Sequence, residues 1–396
     1  NQGVKNGMPT FKEMATEYGV NDSGYSEHAA FFDYDRDGDL DLYVLIDVID
    51  QQPALFRPKV TDGSYPNTDR LYRCDWSADL NHPVYTNVSK EAGITIEGFG
   101  LGVAICDINQ DNWPDIYVTN DYVSDDLLYI NNKNGTFTDQ SKKYFKHTSL
   151  TAMGNEVGDV NNDGWVDIIG GGTSPKVFLN NSGTFSNNFF EPTMFNKDFY
   201  DVADIYSIEI FDINQDGFND LLVGAAKKPW TPFYSLVYTM EDYGRNGEIF
   251  FGKAEYPYFE ETPSIRLEPE INYAGLGGNI RDLTYDAVMD WVVTDFDNDG
   301  DYDIFTGSMK AEGVNENIIT YYENVNNKEW VESNDKVFVE GQQYFNKNLS
   351  WMKAWDIDND GKKEILIEVS SQNKNFNGWK RNSEGKYYQT LIKNNY

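Results

Sequence analysis

A nine-residue acidic pattern, D-x-[DN]-x-D-[GN]-x-x-[DE], occurs six times in this chain. Its copies, called loops 1 to 6 below, begin at Asp33, Asp107, Asp159, Asp212, Asp295 and Asp356. Oxygen ligands at alternating positions suit a hard cation such as Ca²⁺, and a small residue at position 6 suits the sharp turn that such a loop needs. Asp, Asn and Gly are also common in ordinary turns, but six copies of one spacing favour the metal interpretation. The pattern therefore predicts about six calcium-binding loops.

The predicted ligands are the side chains at positions 1, 3, 5 and 9 and the backbone carbonyl at position 7. They are Asp33, Asp35, Asp37, Asp39 and Asp41 in loop 1; Asp107, Asn109, Asp111, Trp113 and Asp115 in loop 2; Asp159, Asn161, Asp163, Trp165 and Asp167 in loop 3; Asp212, Asn214, Asp216, Phe218 and Asp220 in loop 4; Asp295, Asp297, Asp299, Asp301 and Asp303 in loop 5; and Asp356, Asp358, Asp360, Lys362 and Glu364 in loop 6. Loops 1, 5 and 6 supply four carboxylates each, whereas loops 2 to 4 have Asn at position 3. Loop 2 also has Asn112 where glycine is expected, and asparagine tolerates the left-handed conformation. We expect the departures from the pattern to matter most in loops 2 and 6.

The residues around the loops exclude the EF-hand, which begins in the same way. An EF-hand ends with Glu at position 12 and lies between two helices, but position 12 is Val44 in loop 1 and Val118 in loop 2. Short β-branched and aromatic runs flank the loops instead, such as 103–106 before loop 2 and 116–119 after it. Such runs on both sides of a turn are typical of hairpin strands. Each loop is therefore predicted to connect two antiparallel strands.

The composition limits the partners and the compartment. The net charge is −33, which opposes binding to nucleic acid or to an anionic membrane, and no apolar stretch is long enough to span a membrane. Loops that need calcium suit an extracellular or cell-surface protein, so we expect secretion. The two cysteines, Cys74 and Cys106, lie in strand-like runs and are predicted to be free thiols rather than a disulfide.

The spacing of the loops predicts a repeat of about fifty residues, the size of a four-stranded propeller blade. In the second repeat the strands are placed at 102–106, 115–119, 127–131 and 135–139, and in the third the last two are placed at 176–180 and 183–186. The fold class is accordingly all-β, a single β-propeller over 1–396 with six blades, or seven if 225–288 contains a blade without a metal loop. Because 11–20 resembles 85–94, we expect an N-terminal strand within 8–20 to complete the last blade and close the ring. Insertions are predicted at 46–68 and within 225–288.

The loops in their setting resemble those of FG-GAP and VCBS repeat propellers. The stretch 8–160 resembles the repeats of secreted proteins of the ASPIC/UnbV type, and the calcium loops are similar to those of integrin α-subunit propellers. The resemblance implies a calcium-binding β-propeller. It is specific for the fold and the metal and says little about activity, because the family includes adhesins, lectin-like modules and some polysaccharide lyases. Its members commonly have seven blades.

The insertions predict where a partner binds. Alternating strand direction places the metal loops at one end of the blades and the predicted insertions at the other, so a scaffold and a binding surface would be separated. Aromatic residues in the insertions suit a glycan or a cell-surface protein, although they also suit simple packing against the blades. The predicted contacts are Phe56, Trp230, Phe233, Tyr256, Tyr258, Phe259 and Tyr273.

Two alternatives to a binding module remain open from the sequence. One is a calcium-dependent polysaccharide lyase, for which Lys227, Lys228 and Arg266 are the candidate bases. The other is a structural component of a larger surface assembly. The three histidines, His28, His82 and His147, match no zinc or nucleophile pattern, and an enzyme is the less favoured class.

Overall fold

The computed structural model describes a defined part of the chain. Its residues are 4–5, 8–9, 12–22, 24–48, 57–121, 124–145, 148, 152, 154–170, 176–183, 185–190, 203–227, 247–255, 258–260, 264–267, 287–309, 317–345, 349, 351–356, 363–367 and 376–392. These residues divide into two compact units. The first unit is Met14–Phe195, and the second is Asn1–Glu13 with Asn196–Tyr396. The prediction of a single domain stays a prediction.

The chain begins with the short strands β1 (Val4–Lys5) and β2 (Met8–Pro9), which pair with each other, and the helix α1 (Ala15–Tyr18). The first unit then contains three sheets of four antiparallel strands. They are β3 (Ser26–Phe32), β4 (Asp41–Ile46), β5 (Arg70–Ser77) and β6 (His82–Asn87); β7 (Gly100–Cys106), β8 (Asp115–Asn120), β9 (Leu127–Asn131) and β10 (Phe137–Asp139), followed by the helix α2 (Ser141–Tyr144); and β11 (Asn155–Gly158), β12 (Asp167–Gly170), β13 (Lys176–Asn180) and β14 (Phe185–Phe190).

The second unit repeats this arrangement. Its sheets are β15 (Ala203–Phe211), β16 (Asp220–Lys227), β17 (Gly247–Phe250) and β18 (Ile265–Leu267); β19 (Ala287–Thr294), β20 (Asp303–Met309), β21 (Asn317–Val325) and β22 (Glu329–Glu332), followed by the helix α3 (Asn334–Val337) and β23 (Tyr344–Phe345), which pairs with β21; and β24 (Met352–Trp355), β25 (Glu364–Ile367), β26 (Phe376–Arg381) and β27 (Tyr387–Ile392). Each sheet is an up-and-down meander with one of loops 1 to 6 between its first two strands, which is the blade of the β-propeller class.

Packing between neighbouring sheets explains why the second strand of each repeat is almost continuously apolar. In β8, alternate side chains enter different cores: Ile116 and Val118 pack with residues of the first sheet, whereas Tyr117 packs with residues of the third. All six residues of β8 are buried. Because successive side chains point to opposite faces, a strand covered on both faces has no polar side. The cores of the second unit follow the same plan, with Ile304 in one cluster and Phe305 in another.

A buried tyrosine–aspartate pair joins the second and third strands in the first two sheets. The Tyr43 hydroxyl donates to Asp69 Oδ2 at 2.9 Å, and the Tyr117 hydroxyl donates to Asp126 Oδ2 at the same distance. The other carboxylate oxygen of each aspartate accepts a backbone N–H, from Ile46 and from Asn120. Burial is the main cause that raises the pKa of Asp69 to about 7.

The raised pKa of Asp69 predicts a pH-dependent stability. Its carboxyl group holds its proton more tightly in the folded state than in the unfolded state, where the pKa is near 3.8. Stability from this group is therefore full below about pH 4 and is lost as the pH rises towards 7. We expect the stability of the unaltered protein relative to Asp69→Asn, measured by urea unfolding in chelator, to fall across this range and then level off. The exposed Asp75→Asn serves as the control, and an Asp69→Asn difference that is independent of pH would contradict the assignment.

Two of the predicted boundaries need correction. Residues 8–20 do not form one strand, because β2 pairs only with β1 among the described residues and α1 follows it, while the last sheet takes its four strands from 352–392. The predicted insertion 225–288 contains β17 and β18, which are the third and fourth strands of the fourth sheet. No additional blade is formed by the described residues of that range. The insertion predicted at 46–68 falls between β4, which ends at Ile46, and β5, which begins at Arg70, and it stays a prediction.

The sequence similarity of 11–20 and 85–94 reflects a turn that both segments form. Gly19 and Gly93 have φ angles of 82° and 84°. A Cβ atom would lie 2.4 Å from the Tyr85 carbonyl oxygen at Gly19 and 2.7 Å from the Phe137 carbonyl oxygen at Gly93. Both positions thus need glycine for the backbone conformation and for the close approach of the outermost strand of the sheet that follows.

Candidate metal centres

Loops 1 to 5 share one backbone conformation. Position 4 is left-handed in every case, with φ of 61° at Arg36, 54° at Gln110, 56° at Asn162, 58° at Gln215 and 64° at Asn298. Position 6 is also left-handed, and Asn112 takes φ of 66° where the other loops have glycine. The prediction that asparagine preserves the turn in loop 2 is therefore confirmed. Loop 6 is described only at Asp356, Lys363 and Glu364, so Asp358, Asp360 and Lys362 lie outside the described residues.

The first aspartate curls the loop by accepting two backbone hydrogen bonds. In loop 3, Asp159 Oδ1 accepts the N–H of Asp163 at 3.0 Å and Asp159 Oδ2 accepts the N–H of Gly164 at 2.8 Å. Loops 1, 2 and 4 have the same pair of bonds from positions 5 and 6 to position 1. The aspartate at position 1 thus orders the turn in addition to any role as a ligand.

The aspartate at position 9 ties each loop to the third strand of its sheet. In loop 3, Asp167 Oδ2 accepts the N–H of Val160 at 2.9 Å and Asp167 Oδ1 accepts the N–H of Asn180 at 2.7 Å. The equivalent bonds are present at Asp41, Asp115, Asp220 and Asp303. These five aspartates are at most 1% exposed, and burial raises their pKa to about 6 at Asp41 and Asp303 and about 7 at Asp115, Asp167 and Asp220. The ligand role predicted for position 9 stays a prediction, whereas its structural role was not foreseen.

In loop 1, three carboxylates converge, and the charge of Arg73 offsets only part of the repulsion at Asp35. Asp33, Asp35 and Asp37 each place one oxygen within 4.8 Å of those of the other two. Asp35 Oδ1 is buried and has no hydrogen-bond partner. Burial raises the pKa of Asp35, and the charge of Asp37 raises it further. Asp41 lies outside this group, in its own pair of backbone hydrogen bonds.

Loop 5 has the same arrangement. Asp295, Asp297 and Asp299 converge within the same distance, and Asp295 Oδ1 is buried without a partner. Burial, followed by the charge of Asp299, raises the pKa of Asp297. Three hard oxygen donors in a tight loop, one of them unpaired, fit a calcium ion, whose charge would remove the repulsion among them.

Loops 3 and 4 satisfy their own polar groups. The Nδ2 atoms of Asn161 and Asn214 donate to the aspartate two residues later, Asp163 and Asp216, at 3.1 Å. Their carbonyl oxygens accept the backbone N–H of the same aspartates. In loop 2 the Lys133 ammonium lies 3.2 Å from Asp111 Oδ2 and partly neutralises it. These loops therefore depend less on a cation for electrostatic balance than loops 1 and 5 do.

A buried asparagine at the end of the third strand joins neighbouring sheets, and the sequence analysis missed it. The Nδ2 of Asn131 donates to the Tyr34 carbonyl in loop 1 at 2.8 Å and to the Pro114 carbonyl in loop 2 at 3.2 Å. Asn180 makes the equivalent bonds to Ile108 and Val166. The repeated phrases at 128–132 and 177–181 were the available signal, because each contains this asparagine.

Part of the repeating sequence matches a known protein family. A family model described as FG-GAP-like repeat matches residues 107–170 and 159–223, which contain loops 2, 3 and 4. Residues 107–223 therefore contain FG-GAP-like repeats. Both matched segments begin at position 1 of a loop, and loops 1 and 5, outside the match, have the same conformation. The resemblance to FG-GAP repeat proteins is therefore confirmed.

The other comparisons are more distant. No curated protein matches the chain. Among solved structures, the Vibrio cholerae biofilm matrix protein Bap1 has 12% identity and a TM-score of 0.37, with 74% of this chain and 40% of that chain covered. The Dos1 propeller has 8% identity and a TM-score of 0.47, covering 94% and 74%. A protein from Lactobacillus plantarum has 9% identity and a TM-score of 0.45, covering 85% and 80%. The chain thus spans less than half the length of Bap1.

In the described part of the chain, cavities adjoin loop 1 and the fifth sheet. One, of about 520 Å³, adjoins loop 1 and is lined by Asp35, Asp37, Arg73, Trp113 and Lys133 among others. The second, of about 790 Å³, lies in the fifth sheet and is lined by residues that include Ile318, Glu332, Asn334, Glu340, Gln343 and Tyr344. Because β20 runs away from loop 5 and β21 returns to it, Ile318 and its strand partner Tyr344 lie at the end of the sheet opposite the metal loop.

The segment between β4 and β5 of the first sheet is held firmly at its described end. The Arg57 guanidinium donates to both carboxylate oxygens of Glu97 at 2.8 and 2.6 Å, and Glu97 is 1% exposed. Glu97 also accepts the N–H of Val60 at 2.7 Å. The Arg57 side chain lies 3.9 Å from the centre of the Tyr65 ring. Residues 57–68 are thereby fixed to the segment that leads into the second blade.

The predicted aromatic contacts are only partly described. Phe259 is fully buried and bridges to Gly252, so the prediction of an exposed ring is wrong at this position. Tyr258 is half-buried. The remaining five lie outside the described residues, namely Phe56, Trp230, Phe233, Tyr256 and Tyr273.

The predicted basic residues and cysteines have the following positions. Lys227 ends β16 and Arg266 lies in β18, but their side chains and all of Lys228 are outside the described part of the structure, so the lyase alternative stays a prediction. Both cysteines are free thiols, as predicted. Among the described residues, no helix has the length and apolar character required to cross a membrane.

Proposed function

We propose that this protein is an extracellular calcium-binding module that uses its FG-GAP blades as a scaffold for binding a glycan or a cell-surface protein. The calcium part of the proposal rests on loops 1 and 5. In each of these loops three carboxylates converge, and one buried oxygen of the group, Asp35 Oδ1 or Asp295 Oδ1, has no hydrogen-bond partner. The FG-GAP match supports a repeat-based binding module, and such repeats are typical of extracellular proteins.

Calcium would be held by the side chains at positions 1, 3 and 5, with the carbonyl at position 7 and the carboxylate at position 9 as further oxygen ligands. It would supply charge neutralisation in a chain whose net charge is −33. The protein's own residues prepare the loop: position 1 curls it, position 9 anchors it to the third strand, and positions 4 and 6 provide the left-handed turns.

For the partner, we propose the end of the blades that faces away from the metal loops. The cavity of about 790 Å³ reaches that end at Ile318 and Tyr344 and combines the Tyr344 ring with amides and carboxylates, a mixture suited to stacking on a sugar ring and bonding its hydroxyls. The polar side chains that would bond the hydroxyls are those of Asn334, Gln343 and Glu340. Lys386, the one cation among its lining residues, donates to the Asp335 carbonyl.

Glycan arrays and pull-downs from cell-surface extracts test the binding proposal. Tyr344→Ala should weaken binding to any captured glycan or protein by roughly tenfold, because one aromatic contact contributes about 1–2 kcal/mol to the free energy of binding. Tyr388→Ala is the matched control, since Tyr388 is 38% exposed and lies in the sixth sheet. Unchanged binding in Tyr344→Ala would contradict the site, and capture of no glycan or protein would contradict the binding function.

A further inference from the structure

The side chain at position 4 reaches the next loop wherever two successive loops are described within one unit. Gln110 Nε2 of loop 2 donates to the Gly164 carbonyl of loop 3 at 2.6 Å. Gln215 Nε2 of loop 4 donates to the Gly300 carbonyl of loop 5 at 2.9 Å. In both cases the acceptor is the residue at position 6. The left-handed backbone at Gln110 and Gln215 is shared by position 4 of every described loop.

Loop 1 makes the same connection by different chemistry. Arg36, at position 4, places its guanidinium 5.5 Å from the centre of the Trp113 ring, at position 7 of loop 2. A side chain at position 4 thus contacts positions 6 or 7 of the following loop in all three cases. Three occurrences in two separate units indicate a feature of the repeat rather than a chance surface contact.

The peptide that receives the glutamine is the one that precedes the predicted carbonyl ligand. In loop 3 the Gly164 carbonyl accepts from Gln110, while the N–H of the same peptide, from Trp165, donates to Asp163 Oδ1 at 2.9 Å. In loop 5 the Gly300 carbonyl accepts from Gln215, and the N–H of Asp301 donates to Asp299 Oδ1 at 3.1 Å. Each peptide plane is therefore held from both sides, by the preceding loop and by the aspartate at position 5.

We propose that Gln110 and Gln215 are positioning residues for the cation of the following loop, Gln110 for loop 3 and Gln215 for loop 5. The inference rests on the proposed calcium binding. Fixing the peptide between positions 6 and 7 orients the carbonyl at position 7 before the ion arrives and reduces the ordering that binding requires.

Terbium luminescence can measure loops 2 and 3 separately, because each has tryptophan at position 7, Trp113 and Trp165, and the emission that is lost when that tryptophan is replaced by phenylalanine belongs to its loop. In a Trp113→Phe background, the emission from loop 3 would be sensitised by Trp165. Adding Gln110→Ala there should weaken terbium binding to loop 3 about fivefold, the factor that corresponds to one net hydrogen bond. In a Trp165→Phe background, the same Gln110→Ala should change the affinity of loop 2 less than twofold.

Gln215→Ala is the matched control, because it is the same substitution at the same loop position in the other unit, and it should leave loop 3 unchanged. Unchanged affinity of loop 3 in Gln110→Ala would overturn the positioning role and leave calcium binding intact. Equal weakening of loops 2 and 3 would also overturn it, since a general loss of structure would then be the cause. Absence of sensitised emission in the unaltered protein would instead overturn the proposed calcium sites.

Discussion

Removing calcium should lower the melting temperature by roughly 5–10 °C for each loop that is filled at a hundred times its dissociation constant. The largest effects are expected from loops 1 and 5, because their three convergent carboxylates repel one another without a cation. One such loop lies in each unit, so both units should melt earlier in chelator. Differential scanning calorimetry with calcium and with a chelator, at equal ionic strength, measures the effect.

Substitutions at position 3 supply the control for this experiment. Asp35→Asn and Asp297→Asn together should reduce the stabilisation by calcium, and they should raise the stability of the calcium-free protein because they relieve repulsion at Asp35 and Asp297. Restoring calcium to the unaltered protein should restore its melting temperature. Equal melting temperatures with and without calcium would refute the metal assignment.

Two aspartates of loop 3 should separate folding from metal binding. Asp167→Ala leaves the buried N–H groups of Val160 and Asn180 without their acceptor, and we expect a loss of about 3 kcal/mol in calcium-free stability at 1–3 kcal/mol for each unsatisfied group. Asp163→Ala also removes an aspartate carboxylate, but from an exposed position, where the loss of calcium-free stability should stay below about 1 kcal/mol. Urea unfolding in chelator measures both.

Calcium should affect the stability of the Asp163→Ala and Asp167→Ala variants differently. Asp163→Ala should lose most of the calcium stabilisation contributed by loop 3, because position 5 is a predicted ligand with no buried structural bond. If both variants lost the same calcium-free stability, position 9 would not be the anchor that the hydrogen bonds indicate.

Local patterns made much of this structure predictable. The loop spacing predicted hairpin connections, and strands β9 and β13 were placed without error, because their apolar runs are bounded by turn residues on both sides. Asn112 was predicted to replace glycine for a conformational reason that depends on that residue alone, and the structure agrees.

The errors arose where tertiary context decides. The strands β17 and β18 have four and three residues, which is too short to show periodicity. Only the pairing of β17 with β16 and of β18 with β17 makes them strands. The segment 8–20 resembled a strand because its glycine repeats Gly93, yet both glycines form turns against an outer strand. Phe259 appeared to be a surface ring because its neighbours are polar, whereas a backbone bridge to Gly252 buries it.

By itself, the sequence determined the number of acidic loops, the hairpin at each one and the all-β class, because turn chemistry and strand alternation act over a few residues. Only the tertiary structure decided how the acids divide their work. The carboxylates at position 9 are drawn into buried backbone bonds with a third strand that lies 13 to 33 residues further along the chain, while those at positions 1, 3 and 5 of loops 1 and 5 remain together at the surface. Nine residues of one acidic pattern cannot reveal that division, since it depends on distant N–H groups that only folding brings to them.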